Sequence, residues 1–315
     1  PFDFGSILEH LPSLRNLMLE ITVVSFENPI DSSNMNPEYW QVIAKIISDH
    51  YATHDGFVVL HGTDTMAFTA SALSFMLQGL NKPVIFTGAQ LPISEPRSDA
   101  RENLITSIDI AAAYRDGLPL VPEVCIYFDY ELLRGNRSKK VESMQFDAFD
   151  SGNYPPLAKA GVKIDYNFAA IGTRKTPDEA LTLRLRVDTN LSILKLFPGI
   201  SQPLVHTLLS APDLKAVVLE TYGSGNAPTL PWLIDELKTA IGRGVIVVNI
   251  SQCPGGRVLQ GRYATSQELQ QIGVISGADM TTEAAVTKLM VLLGEYGPVQ
   301  ARELMGLSLA GELTV

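Results

Sequence analysis

The sequence of residues 57–86, FVVLHGTDTMAFTASALSFMLQGLNKPVIF, decides the fold class of this chain. Its first four residues form a continuous apolar run, which is typical of a strand buried on both faces of a parallel sheet. The segment from Thr65 to Asn81 has no charged residue and is apolar nearly all round, which predicts a buried helix. A second apolar run at Pro83–Phe86 predicts another strand. A strand, a helix and a second strand in this order form the βαβ unit of a parallel sheet.

The alternation of strands and helices continues on both sides of this unit. Upstream, Ile21–Phe26 predicts a strand, and Asn36 before Pro37 predicts the start of a helix that extends to about Tyr51. Downstream, strands are predicted at 124–128, 192–196, 216–219 and 245–250, and helices at about 99–114, 230–242 and 281–293. We therefore predict an α/β fold with parallel sheets in both halves of the chain.

The regular alternation lapses between residues 130 and 190, and this interval predicts the domain boundary. Glycine, proline and denser charge in it favour loops, hairpins and a linker. We place a larger N-terminal α/β domain at residues 1–190, with a linker at 176–190, and a smaller C-terminal domain at 191–315. The total of 315 residues agrees with two domains of roughly 150 residues each.

The composition excludes several classes of protein. A hydrophobic fraction of 46% with 18% charged residues excludes a disordered chain. The net charge of −10, without a block of basic residues, argues against a nucleic-acid partner. The sequence has no apolar run of ~18 residues, so no membrane span is predicted. No complete metal, P-loop or dinucleotide motif is present, so neither a metal nor a cofactor is expected. Cys125 and Cys253 are predicted to be buried thiols of a reducing compartment.

The loops that follow the strands are the candidate sites, because ligands of open parallel sheets bind beyond the carboxyl ends of the strands. Thr63 and Asp64 come after the strand at 57–60 and just before the buried helix, at its positive end. A hydroxyl beside a carboxylate can serve nucleophilic or water-activating chemistry when a base or a lysine activates it. A plain helix cap explains the same pair, and His61 is predicted to be a packed core histidine.

Four other loops carry hydroxyl, amide or charged groups. They are DSSNM at 31–35, TGAQ at 87–90, RGNRSKK at 134–140 and YGSGNAP at 222–228. Taken singly, an Asx turn at 31–33, a solvated lysine pair at 139–140 and a glycine-rich turn at 223–226 explain them without any chemistry. Their function is therefore left open by the residues alone.

Together with HGTDTM at 61–66, these stretches resemble the type I, cytoplasmic bacterial L-asparaginases. The likeness extends from about residue 30 to the C-terminus. It implies hydrolysis of L-asparagine to L-aspartate and ammonia through a threonine nucleophile. It also implies a flavodoxin-like C-terminal domain, a cytoplasmic location and a homodimer or a tetramer made of two dimers.

The resemblance further implies roles for individual residues. Thr63 would form a catalytic relay with Asp64 and Lys140, with Lys139 as the fallback if the spacing is off by one. The substrate-binding residues that it implies are Asp31, Ser32, Ser33, Ala89 and Asn226. Asp31, Ser32 and Ser33 would bind the α-carboxylate and α-amino ends, and backbone groups around Ala89 would contact the side-chain amide.

One family motif is not found in this sequence. The resemblance places the attacking threonine in a TGGT motif, and the 315 residues contain no TGGT. We expect a polypeptide that begins at Pro1 to be inactive or nearly so. Two alternatives stay open at this point. One is a non-catalytic amino-acid-binding or regulatory protein on the same fold, and the other is an ammonia-releasing subunit of an amidotransferase.

Overall fold

The computed structural model describes residues 12–172, 180–261 and 264–314. The chain divides into two compact units. The first comprises Pro1–Leu73, Gly79–Asp150 and Pro156–Thr182, and the second comprises Ser74–Gln78, Ser151–Pro155 and Leu183–Val315. Two short segments of the first half thus belong to the second unit. The domain boundary near residue 190 stays a prediction.

The helices and strands of the described residues are numbered here in chain order. The strands are β1 (Phe57–Leu60), β2 (Leu77–Gln78), β3 (Val84–Thr87), β4 (Tyr114–Arg115), β5 (Leu118–Pro119), β6 (Val124–Phe128), β7 (Glu131–Arg134), β8 (Lys139–Lys140), β9 (Phe149–Asp150), β10 (Ala158–Ala160), β11 (Ile164–Tyr166), β12 (Thr182–Leu183), β13 (Leu191–Lys195), β14 (Ala216–Thr221), β15 (Ile246–Ser251) and β16 (Ile275–Ser276). The α-helices are α1 (Pro37–His50), α2 (Met66–Met76), α3 (Ala100–Ala111), α4 (Gln202–Leu209), α5 (Pro231–Gly242), α6 (Ala264–Gln271) and α7 (Thr282–Met305).

The main sheet of the first unit has six strands among the described residues, in the order β1-β3-β6-β7-β10-β11. Strands β1, β3 and β6 are parallel, and β6, β7, β10 and β11 pair antiparallel. The predicted βαβ unit is confirmed as β1, α2 and β3, but the helix predicted to extend to Asn81 ends at Met76, because Leu77–Gln78 forms β2 and pairs with β12. Strands β3 and β6 are buried along their whole length. Two-sided burial is wrong for β1, whose Leu60 is 48% exposed, because β1 lies at the edge of the described sheet.

The strand predicted at Ile21–Phe26 does not form in the described structure. This segment has no helix or strand assignment, and Ile21, Val23, Val24 and Phe26 are all exposed. The run supplies β-branched side chains, but a strand also needs a neighbouring backbone to complete its hydrogen-bond ladder. The described sheet places no strand beside it, so this prediction is wrong.

Helix α1 begins where the sequence predicts. The Asn36 side chain accepts hydrogen bonds from the backbone N–H groups of Glu38 and Tyr39, at 3.0 and 3.3 Å, and Pro37 occupies the first helical position. One face of the helix is buried at Trp40, with further buried residues at 43, 44 and 47. Helix α1 therefore holds the Trp40 side chain in a buried position.

The sheet of the second unit has four parallel strands among the described residues, in the sequential order β13-β14-β15-β16. Helices α4, α5 and α6 connect successive strands, and α7 packs against the sheet. The sequence did not predict α4, α6 or β16. Cys125 in β6 is buried as predicted, but Cys253 is exposed because it lies in the turn after β15 rather than within the strand.

A buried ion pair fastens the last residues of the second unit to α7. The Lys288 Nζ donates to the carbonyl oxygens of Met305 and Leu307, at 2.9 and 2.5 Å, and to Glu312 Oε1 at 2.5 Å. Both charged side chains are fully buried. Glu312 also accepts hydrogen bonds from the backbone N–H groups of Leu309 and Ala310. Lys288 therefore organises the chain that follows α7.

We expect Lys288→Met to lower the free energy of unfolding by about 3–5 kcal/mol, because it leaves the buried Glu312 carboxylate without its cation. Urea titration followed by circular dichroism measures this loss. Lys238→Met, at an exposed position of α5, is the control and should change the free energy little. An equal effect of the two substitutions would contradict the role given to Lys288.

Candidate active site

Thr63, Asp64 and Lys140 lie together in the first unit. Thr63 and Asp64 are in the turn between β1 and α2, and Lys140 is in β8, where it pairs with Phe149 of β9. Lys140 Nζ donates to Thr63 Oγ1 and to Asp64 Oδ1, each at 2.8 Å. The Lys140 side chain is 17% exposed and that of Asp64 is 64% exposed. The lysine that reaches Thr63 and Asp64 is thus Lys140, which the family resemblance ranks ahead of Lys139.

The hydroxyl of Thr63 has a defined direction. An ammonium group can only donate hydrogen bonds, so Thr63 Oγ1 accepts from Lys140. Its own proton then points to Gln90 Oε1, at 3.2 Å, and Gln90 Nε2 donates to the Gln145 carbonyl oxygen at 2.9 Å. The Lys140 ammonium group therefore donates to the Thr63 hydroxyl, which in turn donates to the Gln90 carboxamide oxygen. Gln90 lies in the TGAQ stretch at 87–90, but nothing in the sequence indicates that it contacts Thr63.

The loop that carries Ala89 and Gln90 is held by the start of α3. Asp99 accepts hydrogen bonds from the backbone N–H groups of Gln90 and Leu91, at 3.0 and 3.1 Å. Asn103 Nδ2 donates to the Gly88 carbonyl oxygen and to Asp99, at 3.0 and 3.1 Å. Asp99 makes no cap hydrogen bond to its own helix. The Asp99 carboxylate therefore holds the loop rather than capping its own helix. The sequence, in which Asp99 begins a predicted helix, does not indicate this role.

Asp31, Ser32 and Ser33 form a compact turn. Asp31 Oδ1 accepts from the Ser33 backbone N–H and from Ser33 Oγ, both at 2.9 Å, as in the Asx turn that the residues alone favour. These two hydrogen bonds hold the pKa of Asp31 below its usual value, so the exposed side chain stays ionised.

This turn packs against the loop that holds Thr63. Thr65 Oγ1 donates to the Ser32 carbonyl oxygen at 2.7 Å. A Cβ atom on Gly62 would lie 2.6 Å from Ser32 Oγ, so only glycine allows this approach. The structure thus brings Ser32 beside the turn of Thr63 and Asp64.

Asn226 lies in the second unit, in the turn after β14. Tyr222 and Asn226 exchange two backbone hydrogen bonds, each of 2.9 Å, and close the turn. Gly223 and Gly225 adopt positive φ angles of 49° and 99° within it. This is the glycine-rich turn that the residues alone favour. The substrate-binding role of Asn226 stays a prediction.

The described residues contain neither a group of side chains suited to a metal ion nor a helix suited to a membrane. Within 12–172, 180–261 and 264–314, no three or more His, Cys, Asp or Glu side chains are grouped so that they could hold a metal ion. In the same ranges no helix has both the length and the apolar character needed to cross a membrane.

Two family models cover most of the chain. The model described as "Asparaginase, N-terminal" matches residues 2–171, and "Glutaminase/Asparaginase C-terminal domain" matches residues 190–305. The chain belongs to the asparaginase family. The predicted resemblance and the predicted α/β class are therefore confirmed.

Several known proteins are similar to the chain over nearly its full length. L-asparaginase 1 of Escherichia coli K12 is 45% identical over 303 residues, which cover 95% of the chain and 87% of that protein. The crystal structure of L-asparaginase I from Vibrio cholerae has a TM-score of 0.91 at 41% identity, and covers 100% of the chain and 94% of its own. The 60 kDa lysophospholipase of Mus musculus is 44% identical, and the chain spans 53% of its length.

Proposed function

We propose that the full-length protein hydrolyses the side-chain amide of L-asparagine to give L-aspartate and ammonia, with Thr63, Asp64 and Lys140 as the catalytic group beside the attacking threonine. The observation that carries the proposal is the contact of Lys140 Nζ with both Thr63 Oγ1 and Asp64 Oδ1 at 2.8 Å. The names of the relatives from E. coli and V. cholerae support the same substrate.

The hydrogen bonds of Thr63 define a path for protons. In the proposed reaction the attacking threonine is the one that the family resemblance places in a TGGT motif, not Thr63. Its hydroxyl oxygen bonds to the amide carbon, the C–N bond breaks, and the departing nitrogen takes up a proton to leave as ammonia. Water then cleaves the threonine ester and releases aspartate. Thr63 already donates to a carboxamide, that of Gln90. With substrate bound, Thr63 would pass this proton to the leaving nitrogen and take one from Lys140, and Lys140 would take up the hydroxyl proton of the attacking threonine. The carboxylate of Asp64 would hold the lysine in place.

The charged ends of the substrate call for charged partners. Asparagine carries an α-ammonium group, and Asp31 presents an exposed, ionised carboxylate on the turn that packs against the Thr63 loop. We propose that Asp31 binds the α-ammonium group, that Ser32 and Ser33 help Asp31 to hold the two charged ends of the substrate, and that backbone groups at Ala89 contact the amide. Asn226 completes the proposed set of substrate-binding residues.

We expect Asp31→Asn to raise KM for asparagine by about 10–100-fold with a smaller change in kcat, because a hydrogen bond to a charged group contributes about 1.5–3 kcal/mol. Steady-state ammonia release measures both constants. Glu27→Gln removes the same charge from a nearby exposed position and should leave KM unchanged. Equal KM values for Asp31→Asn and the unmodified enzyme would refute the assignment.

Ammonia release from L-asparagine and from L-glutamine by the full-length protein tests the proposed reaction. The two substrates differ by one methylene, for which a pocket discriminates by about 1–3 kcal/mol, so activity on glutamine should be weaker. A rise in melting temperature with asparagine but without ammonia would instead support the binding-protein alternative. Ammonia release only with a partner protein present would support the amidotransferase alternative.

We also propose that the protein is cytoplasmic and forms a homodimer or a tetramer of two dimers. The resemblance to type I enzymes supports both statements. The free thiols of Cys125 and Cys253 are compatible with a reducing compartment. Light scattering on the purified protein measures the assembly, and a monomer at micromolar concentration would contradict it.

A further inference from the structure

His61 connects the interior of the first unit to the loop of Thr63. It directly follows β1, is 9% exposed, and packs edge-on against Phe86 with ring centroids 6.0 Å apart. Its burial agrees with the core histidine predicted from the sequence. Both ring nitrogens have hydrogen-bond partners: Nδ1 lies 2.7 Å from the Gly62 carbonyl oxygen, and Nε2 lies 2.9 Å from Thr69 Oγ1.

These partners assign the protons of the ring. A carbonyl oxygen only accepts, so Nδ1 carries the proton that it shares with Gly62. In the neutral imidazole Nε2 is then an acceptor, and the Thr69 hydroxyl donates to it. Trp40 Nε1, which can only donate, donates to Thr69 Oγ1 at 3.1 Å. Burial also lowers the pKa of His61, which favours this neutral form.

The result is a one-directional series of hydrogen bonds from Trp40 to Thr69, to His61 and to the Gly62 carbonyl, which we call the His61 series. Trp40 in α1 and Thr69 in α2 are both buried, so two helices hold its inner end. Its outer end is an exposed glycine without a side chain of its own to fix its conformation.

The position of the Gly62 carbonyl oxygen determines the orientation of the Thr63 backbone. The peptide group between these residues is planar, so fixing the carbonyl oxygen also fixes the direction of the Thr63 N–Cα bond. The Thr63 side chain must hold its oxygen 2.8 Å from Lys140 Nζ, and a displacement of about 1 Å at a reacting group can cost 10²-fold in rate.

We infer that His61 is a positioning residue, which acts through the Gly62 carbonyl to hold the Thr63 hydroxyl against Lys140. The catalytic consequence rests on the proposed function. The tautomer of His61 and its effect on the backbone of Thr63 do not.

The first experiment measures the ring directly by ¹⁵N nuclear magnetic resonance at neutral pH. We expect the His61 imidazole to carry its proton on Nδ1 and to have an unprotonated Nε2. Thr69→Val removes the donor to Nε2 at nearly constant volume, so the Thr63 backbone amide signal should shift. Thr287→Val removes another fully buried helical hydroxyl, in the second unit, and should leave that signal in place.

The second experiment measures ammonia release from asparagine. We expect Thr69→Val to lower kcat by about tenfold or more with little change in KM, because the substrate-binding groups stay in place while Thr63 moves. Thr69→Ser keeps the hydroxyl and should restore most of kcat. Trp40→Phe removes only the donor at the inner end and should give a smaller loss of the same kind, with circular dichroism showing that each variant is folded.

Either of two results overturns the inference. One is a proton on Nε2 of His61 in the unmodified protein. The other is a Thr69→Val variant with unshifted Thr63 amide and unchanged kcat. If the unmodified protein releases no ammonia, the proposed function fails, and the tautomer and the Thr63 amide shift still decide whether His61 positions Thr63.

Discussion

We expect Thr63→Ala to lower the rate of ammonia release from L-asparagine by about a thousandfold or more in the full-length protein. The reason is the position of the hydroxyl, which accepts from Lys140 at 2.8 Å and donates to a carboxamide at 3.2 Å. Without it, no group links the ammonium of Lys140 to the leaving nitrogen. Thr63→Ser keeps the hydroxyl and should retain a substantial part of the activity, which a coupled ammonia assay can compare.

The helix-cap alternative makes a different prediction for the same variant. A lost cap lowers stability by about 0.5–2 kcal/mol and leaves kcat unchanged. Thermal unfolding of Thr63→Ala, measured beside its kinetics, separates the two explanations. A destabilised but fully active variant would show that Thr63 only begins α2.

Lys140→Met should lose as much activity as Thr63→Ala, because it removes the donor to Thr63 and the cation beside Asp64. Lys139→Met is the matched control, one residue away in the same strand, and should have a mild effect. Successive residues of a strand point to opposite faces, so only one of the two lysines can reach Thr63. If Lys139→Met proved to be the inactive variant, the assignment of the catalytic lysine would be wrong.

The helices and strands that could be predicted from the sequence are those marked by a pattern within a short stretch of the chain. The uncharged run from Thr65 to Asn81 and the Asn36-Pro37 pair each marked a helix that the structure contains. Ile21–Phe26 has the same kind of local signal for a strand, and it failed because pairing depends on a neighbour that no local pattern specifies. Residues 74–78 and 151–155 belong to the second unit. This assignment depends on three-dimensional packing, so the sequence could not predict it.

The site shows the same division between local and distant information. Thr63 and Asp64 could be selected because they follow a strand and precede a helix. Lys140 is 77 residues from Thr63 in the chain, and the prediction that it acts with Thr63 and Asp64 came from a family resemblance rather than from the residues themselves. The hydrogen bond that Gln90 accepts from Thr63 and those made by the His61 ring could not be predicted, because each depends on hydrogen-bond directions that only the folded chain defines.

The central claim is that Thr63 and Lys140 act as one catalytic unit on the amide of asparagine. The rate of ammonia release by the Thr63→Ala/Lys140→Met double variant tests it most directly. Residues that act as a unit have non-additive effects, so the double variant should be no slower than either single variant. A double variant slower by the product of the two single losses would show that the residues contribute independently, and would contradict the account.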